Sequence, residues 1–290
     1  MTAPGDDRRT IVAEWLDDLR RVLADEPAVV ADVRIGVFYT AVRLASGEVG
    51  VAFTPRDLSD TVCCPRTAAA APRAGRHVGA DAWALAADAL GEVPLRRAVA
   101  VAVLNALSAR AIDRAGVPGG RLVRGVDALE AAGVRPDDRV ALVGAFVPFI
   151  RALKRRVAEL WVVDKHAGAL KDDEQALWRP PAAAEATLAR ATVVVMTGSA
   201  LVEGGLDALL AAAGGARCVV LAGPTASPWP PPFFHRGIHV LGGIRVLDGD
   251  AMIRLVGEGG SGYFFDGVAE KVCLVRDGSP PAVDRPARIR

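Results

Sequence analysis

The sequence predicts an α/β protein in which a smaller α+β region, residues 1–116, precedes a mostly parallel sheet domain, residues 117–290. Two observations carry that prediction. Continuous apolar runs at 140–143, 160–163, 192–196, 218–222 and 238–241 alternate with helix-like segments at 147–157, 183–190, 203–213 and 249–257. Strands that are apolar throughout and separated by helices indicate a parallel sheet covered on both faces. Upstream, strand-like stretches are grouped and helix-like ones follow them, and "GVPGG" at 116–120 offers a joint between the two patterns. Five runs at this spacing make the second domain Rossmann-like.

Each element has its own reason. Ile11, Val12, Trp15, Leu16, Leu19, Val22 and Leu23 recur at offsets of three and four, one stripe of a helix. "VRIGVFYTAVRL" and "SGEVGVAFT" are rich in β-branched and aromatic residues, and Ser46-Gly47 breaks them into two antiparallel strands. "DAWALAADAL" and "LRRAVAVAVLNALSARAI" read as helices, the second apolar nearly all round and therefore buried. "PTASPWPPPF", 224–233, cannot be a central strand, because each proline removes a ladder donor. It is expected as a rigid loop at a strand's carboxyl end.

Composition sets limits on function. Of 290 residues, 51% are hydrophobic, enough for a sizeable core. Thirty-five basic residues face 34 acidic ones, so there is no bulk charge to hold nucleic acid or an anionic membrane. The start, "MTAPGDDRRT", is charged, and the most apolar run, 98–107, is too short for a bilayer and contains Asn105. Cys63, Cys64, Cys218 and Cys273 show no disulfide spacing. The expectation is a cytoplasmic protein whose partner is a small-molecule ligand, with neither nucleic acid nor membrane; a homo-oligomer stays open.

Candidate site residues gather at the predicted strand ends. Gly144 permits a tight turn or close approach of a ligand, and Pro148 suits a first helical turn. The dinucleotide pattern G-x-G-x-x-G is not met, since Phe146 and Phe149 stand where glycines are expected. Phe146 either packs on a flat ligand or plugs the core. Asp164, twenty residues beyond Gly144 (164 − 144), either accepts from ribose hydroxyls or caps a loop. Thr197, Gly198 and Ser199 open a helix, where they cap it or share its N–H groups with an anion. Glu203 is a candidate acid/base, although a helix start also favours an acid. Gly223, Pro224 and Thr225 repeat the pattern after the next strand. Ser199 lacks a G-x-S-x-G elbow. For metals, no C-x-x-C or H-E-x-x-H occurs; Cys63 or Cys64 with His77 is conceivable, against the plainer reading of idle cysteines. His166, His235 and His239 read as ordinary loop or strand-end residues.

"DRVALVGAFVPFI", "ATVVVMTGSALVEGGLDALL" and "CVVLAGPTASPWPPPFFHRGIHVLGGIRVLDGDAMIRLVGEGG" together resemble the family known as the "putative heavy-metal chelation" domain. "RIGVFYTAVRL" and "GEVGVAFT" resemble its small companion domain; the likeness runs in order from about residue 30 to 262. The resemblance implies an enolase N-terminal-like α+β fold for the first domain, a Rossmann-like fold for the second, and a site in their shared cleft. It extends to Gly144 to Pro148, Thr197 to Ala200, Gly223 to Thr225, Tyr39-Thr40 and Asn105. Tyr39, Thr40 and Asn105 are thereby implied as substrate-binding. Two departures stand out: Glu203 replaces an expected Asn, and "GPTASPW" differs from the usual "GPSTP-L".

Three functions follow as expectations. The first is an enzyme making or modifying a metal-chelating or heterocyclic metabolite, with Glu203 or Asp164 moving the proton. The second is a transferase or oxidoreductase using S-adenosylmethionine or a nicotinamide nucleotide, with Asp164 on the ribose. The third is a non-catalytic carrier of a metal ion or chelate.

Overall fold

A computed structural model describes residues 9–55 and 73–279. Helix α1, Ile11–Val22, begins where the Thr10 hydroxyl accepts from Ala13 N, and its apolar stripe is buried. The next stretch forms three antiparallel strands where two were expected: β1 (Val30–Ile35), β2 (Tyr39–Leu44) and β3 (Val49–Phe53), in that order. The extra turn falls at Gly36, whose N–H donates to Tyr39 O. A Cβ there would stand 2.1 Å from Val256 O, so only glycine lets the chain reverse against the helix behind it. Helix α2 (Ala82–Ala86) tightens into a 3-10 turn, and α3 (Pro94–Ala115) is buried along most of its length. Strand β3 lies hard against α3: a Cβ on Gly50 would sit 2.0 Å from Ala102 O.

The large sheet has eight strands: β4 (Gly120–Arg124), β5 (Arg139–Val143), β6 (Glu159–Val163), β7 (Trp178–Arg179), β8 (Val193–Thr197), β9 (Cys218–Ala222), β10 (Val240–Val246) and β11 (Ala269–Arg276). Their order is β4-β11-β10-β9-β8-β5-β6-β7. Strands β5 to β10 run parallel, and β11 is antiparallel to both β10 and β4. The five expected runs are the middle of this sheet. The short or polar edge strands β4 and β7 lack an apolar signal, whereas β11, between β4 and β10, carries a buried apolar run at 272–275 that the sequence reading did not assign to a strand. Connecting helices are α4 (Ala128–Ala131), α5 (Val147–Leu153), α6 (Ala184–Arg190), α7 (Ala200–Glu203), α8 (Leu206–Ala212), α9 (Pro230–His235) and α10 (Gly249–Gly257). The expected helix over 203–213 is in fact two, α7 and α8, divided at Gly204 and Gly205, which both have positive φ. The proline-rich segment is likewise not all loop. Pro230, Pro231 and Pro232 open α9, in the first turn, where no N–H is required.

Alternation along the strands divides the sheet into two faces. Ala141, Val194, Met196, Val219 and Leu221 share one core with α1 and α3. Val140, Leu142, Val193, Val195 and Val220 share the other with α4 and α5. The first region therefore supplies the cover for one face of the second region's sheet. Among the described residues no helix is long and apolar enough to cross a membrane.

Candidate functional site

Neighbouring strands β5 and β8 connect in opposite directions, β5 onward to β6 and β8 onward to β9. This reversal is a topological switch point, where open α/β sheets hold ligands outside the carboxyl ends of their strands. The turns there touch. Gly144 has φ 99°, and a Cβ on it would stand 3.2 Å from Thr197 Cβ and Cγ2. A Cβ on Gly198 would stand 2.9 Å from Ala226 N and 3.0 Å from Thr225 Cβ. The turns after β5, β8 and β9 thus line up along one rim.

Asp164, just past β6, braces the first of these turns. Its Oδ2 accepts from Ala145 N and its Oδ1 from His166 N, each at 2.9 Å. Both oxygens already serve backbone donors. Phe146 stacks on Phe149 with ring centres 5.1 Å apart and packs against the α4–α5 core. Across the crevice, Ser199 N donates to Thr197 Oγ1 at 3.3 Å, and the Ser199 hydroxyl has no hydrogen-bond partner among the described residues. Glu203 Oε2 meets Lys165 Nζ at 3.1 Å, with both side chains partly exposed. Since β5 lies between β8 and β6, this ion pair passes over the turn at Gly144. Lys165 escaped the sequence reading; its only signal was a basic residue following the strand-end acid.

On the far side of the rim, a Cβ on Gly262 would come within 3.4 Å of Tyr39 Oη and 3.9 Å of Pro224 Cγ. Tyr39 also packs on Phe265 at 5.3 Å. The residues that follow Gly262, Tyr263 and Phe264, are 78% and 65% exposed, unusual for aromatics. They too were missed, because glycines interrupt the pattern around them.

Three expected ligand contacts occupy another position. Thr40 is fully buried, its hydroxyl 2.9 Å from that of Thr54. Thr225 Oγ1 accepts from Phe53 N at 2.9 Å, and Thr225 O accepts from Asn105 Nδ2 at 3.0 Å. The same Nδ2 donates to Val51 O at 2.8 Å. Asn105 and Thr225 form a closed seam between the two regions, with Thr40 buried in the small sheet. Gly223 N donates to Gly242 O, tying the third turn to β10.

Metal donors are sparse. Cys63 and Cys64 lie outside the described residues, and burial lowers the pKa of their suggested partner His77. Burial pushes the thiols of Cys218 and Cys273 up to about 11 and about 12, which keeps them protonated and poor ligands. No group of three or more His, Cys, Asp or Glu converges among the described residues. Direct chelation by these residues does not fit.

A family model described as "Putative heavy-metal chelation" (DUF364) matches residues 127–275. The chain belongs to that family. A second heavy-metal chelation model (DUF4213), with the same description, matches residues 17–108. Two crystal structures of this family, both described as having unknown function, share the fold. One, from Pyrococcus horikoshii, is 18% identical with a TM-score of 0.71, covering 92% of this chain and 100% of that one. The other, from Desulfitobacterium hafniense, is also 18% identical with a TM-score of 0.71, covering 91% and 98%. No curated protein matches.

Proposed function

We propose that this heavy-metal chelation family member is an enzyme that makes or modifies a small metal-chelating or heterocyclic metabolite, bound along the carboxyl rim of the large sheet. The observation that carries this reading is the Lys165–Glu203 pair spanning the switch point, one helical turn from the Ser199 hydroxyl, which has no hydrogen-bond partner among the described residues. The rim offers an acid/base group in Glu203, a cation in Lys165 and a hydroxyl in Ser199, the equipment for proton transfer on a polar ligand. Tyr39 and the exposed Tyr263 and Phe264 add aromatic surface suited to a flat ring. Asp164 enters as the residue that fixes the Gly144 turn. A metal ion enters as cargo of the metabolite, since the described residues offer no donor set for it.

Native mass spectrometry of freshly purified full-length protein tests the reading. A co-purifying organic molecule, lost from the Glu203→Gln, Lys165→Ala double variant, is the expected result. Retention of that molecule by the double variant would remove the rim as its site. A nucleotide or S-adenosylmethionine in the spectrum would instead favour the cofactor-dependent reading, for which the switch point itself speaks.

A further inference from the structure

A cation beside α7 stands without an anion. Arg97, near the start of α3, reaches across to α7 and donates from Nη2 to Leu201 O at 3.2 Å. Its other donors are idle: Nε is buried with no hydrogen-bond partner, and Nη1 donates to no group among the described residues. Arg97 makes no ion pair among the described residues, whereas the partly buried Arg110, Arg217, Arg236 and Arg245 each meet a carboxylate. Burial alone lowers the pKa of Arg97 below its ordinary value, while Asp138 raises that of Arg217. Capping the end of α7 would take a single N–H, so it leaves most of this guanidinium unexplained. Holding a charge partly out of water against one neutral carbonyl is costly.

Two glycines keep the space beside the guanidinium free. Gly204 and Gly205 have φ of 85° and 87°, a region that side chains rarely adopt. A Cβ on Gly204 would stand 3.1 Å from Arg97 Nη1, and a Cβ on Gly205 would meet nothing within 4 Å. The residue before them is Glu203, which holds Lys165 at 3.1 Å. Arg97 from the first region and Lys165 from the second therefore flank Glu203 and Gly204, with one carboxylate between two cations.

We propose that Arg97 binds a carboxylate of the rim's ligand, which makes that ligand an aromatic or heteroaromatic carboxylate. The inference rests on the rim reading and gives its metabolite a charge. A planar carboxylate matches the guanidinium fork, and carboxylate oxygens are donors for hard metal ions, in keeping with a chelating molecule.

Titration calorimetry on the full chain in metal-free buffer tests this, with pyridine-2,6-dicarboxylate as the probe and the uncharged pyridine-2,6-dicarboxamide as its counterpart. The dicarboxylate should bind at one site, and the diamide about tenfold or more weakly, for want of the charged hydrogen bonds. Arg97→Gln should weaken the dicarboxylate by about tenfold or more and leave the diamide unchanged. Arg97→Lys, which keeps the charge without the fork, should recover part of the loss. Should these variants unfold, the backbone amide signals of Gly204 and Gly205 in the unaltered protein should shift with the dicarboxylate and stay in place with the diamide. Absence of dicarboxylate binding, equal affinity for the two probes, unchanged affinity in a folded Arg97→Gln, or unmoved Gly204 and Gly205 signals would overturn the proposal. The rim reading fails on a different result, retention of the co-purifying molecule by the Glu203→Gln, Lys165→Ala double variant, in which Arg97 is intact.

Discussion

Lys165 and Glu203 are 38 residues apart in the chain (203 − 165) yet meet at 3.1 Å, joining the loop after β6 to the helix after β8. The pair closes over the end of β5, so the crevice at the switch point has a charged bridge across it. Neither partner is buried, and an exposed pair of this kind contributes only about 0–1 kcal/mol to stability. Folding alone therefore gives little reason for its place, and the proposed acid/base role can be tested apart from stability. On the proposed function, Glu203→Gln should lower turnover of the rim's substrate by about a hundredfold or more, the usual weight of a positioned acid/base. The urea midpoint should barely move. Full activity in that variant would take Glu203 out of the mechanism.

Asp164 leads to the opposite expectation. Two backbone N–H groups depend on its carboxylate, and hydrogen bonds to a charged acceptor contribute about 1.5–3 kcal/mol each in favourable settings. Asp164 is only half-buried, so Asp164→Ala should cost about 1.5–3 kcal/mol in total by urea unfolding. Asp164→Asn, keeping one acceptor oxygen, should lose about half as much. A nucleotide-binding role predicts another pattern: weakened binding of S-adenosylmethionine or a nicotinamide nucleotide at unchanged stability. Calorimetry and unfolding on the same variant distinguish the two.

The parts of this fold that could be seen in the sequence are those whose burial leaves an apolar run. Strands β5, β6, β8 and β9 are buried on both faces, so Val140 to Val143 and Cys218 to Ala222 announce themselves. Strand β4 alternates and carries Arg121 and Arg124, so it gives no such signal, while β11 begins with Glu270 and Lys271 but does hold a buried apolar run at 272–275. The rim could be read because glycines and hydroxyl residues follow each strand. What those side chains do could not. Nothing local to Thr225 says that its hydroxyl will accept from Phe53 N, 172 residues earlier. Nor does Lys165 point to Glu203, since that pairing exists only once the strand order is known.

The seam between the regions has a measurable strength. Thr225→Val keeps shape but removes the acceptor for Phe53 N, leaving a partly buried donor unpaired. The expected loss is about 1–3 kcal/mol. Because α3 and the large sheet share one core, the loss should appear as a shift of a single cooperative transition. Separate melting of the two regions, followed by tryptophan fluorescence and far-ultraviolet circular dichroism together, would contradict the shared core.

At the opposite end of the sheet, Asp138 precedes β5 and should give the protein a defined acid sensitivity. It is buried, which by itself would raise its pKa. Hydrogen bonds from Arg217, Arg135 N and the Thr192 hydroxyl, with the Arg217 charge, outweigh burial and hold the carboxyl below its ordinary value of 3.8. A carboxyl whose pKa is lower in the folded than in the unfolded chain keeps its proton off longer when folded. Its stabilisation is complete above the unfolded value and disappears as pH falls through the folded one. Urea midpoints measured downward from neutral pH should therefore fall as the pH drops below about 4, the unfolded range of an aspartate. Asp138→Asn should be less stable by about 2–3 kcal/mol near neutrality, because it leaves the Arg217 guanidinium without its anion. Its midpoint should also fall less steeply in acid. Parallel acid slopes in the two proteins would mean that the Asp138–Arg217 contact contributes nothing to the linkage.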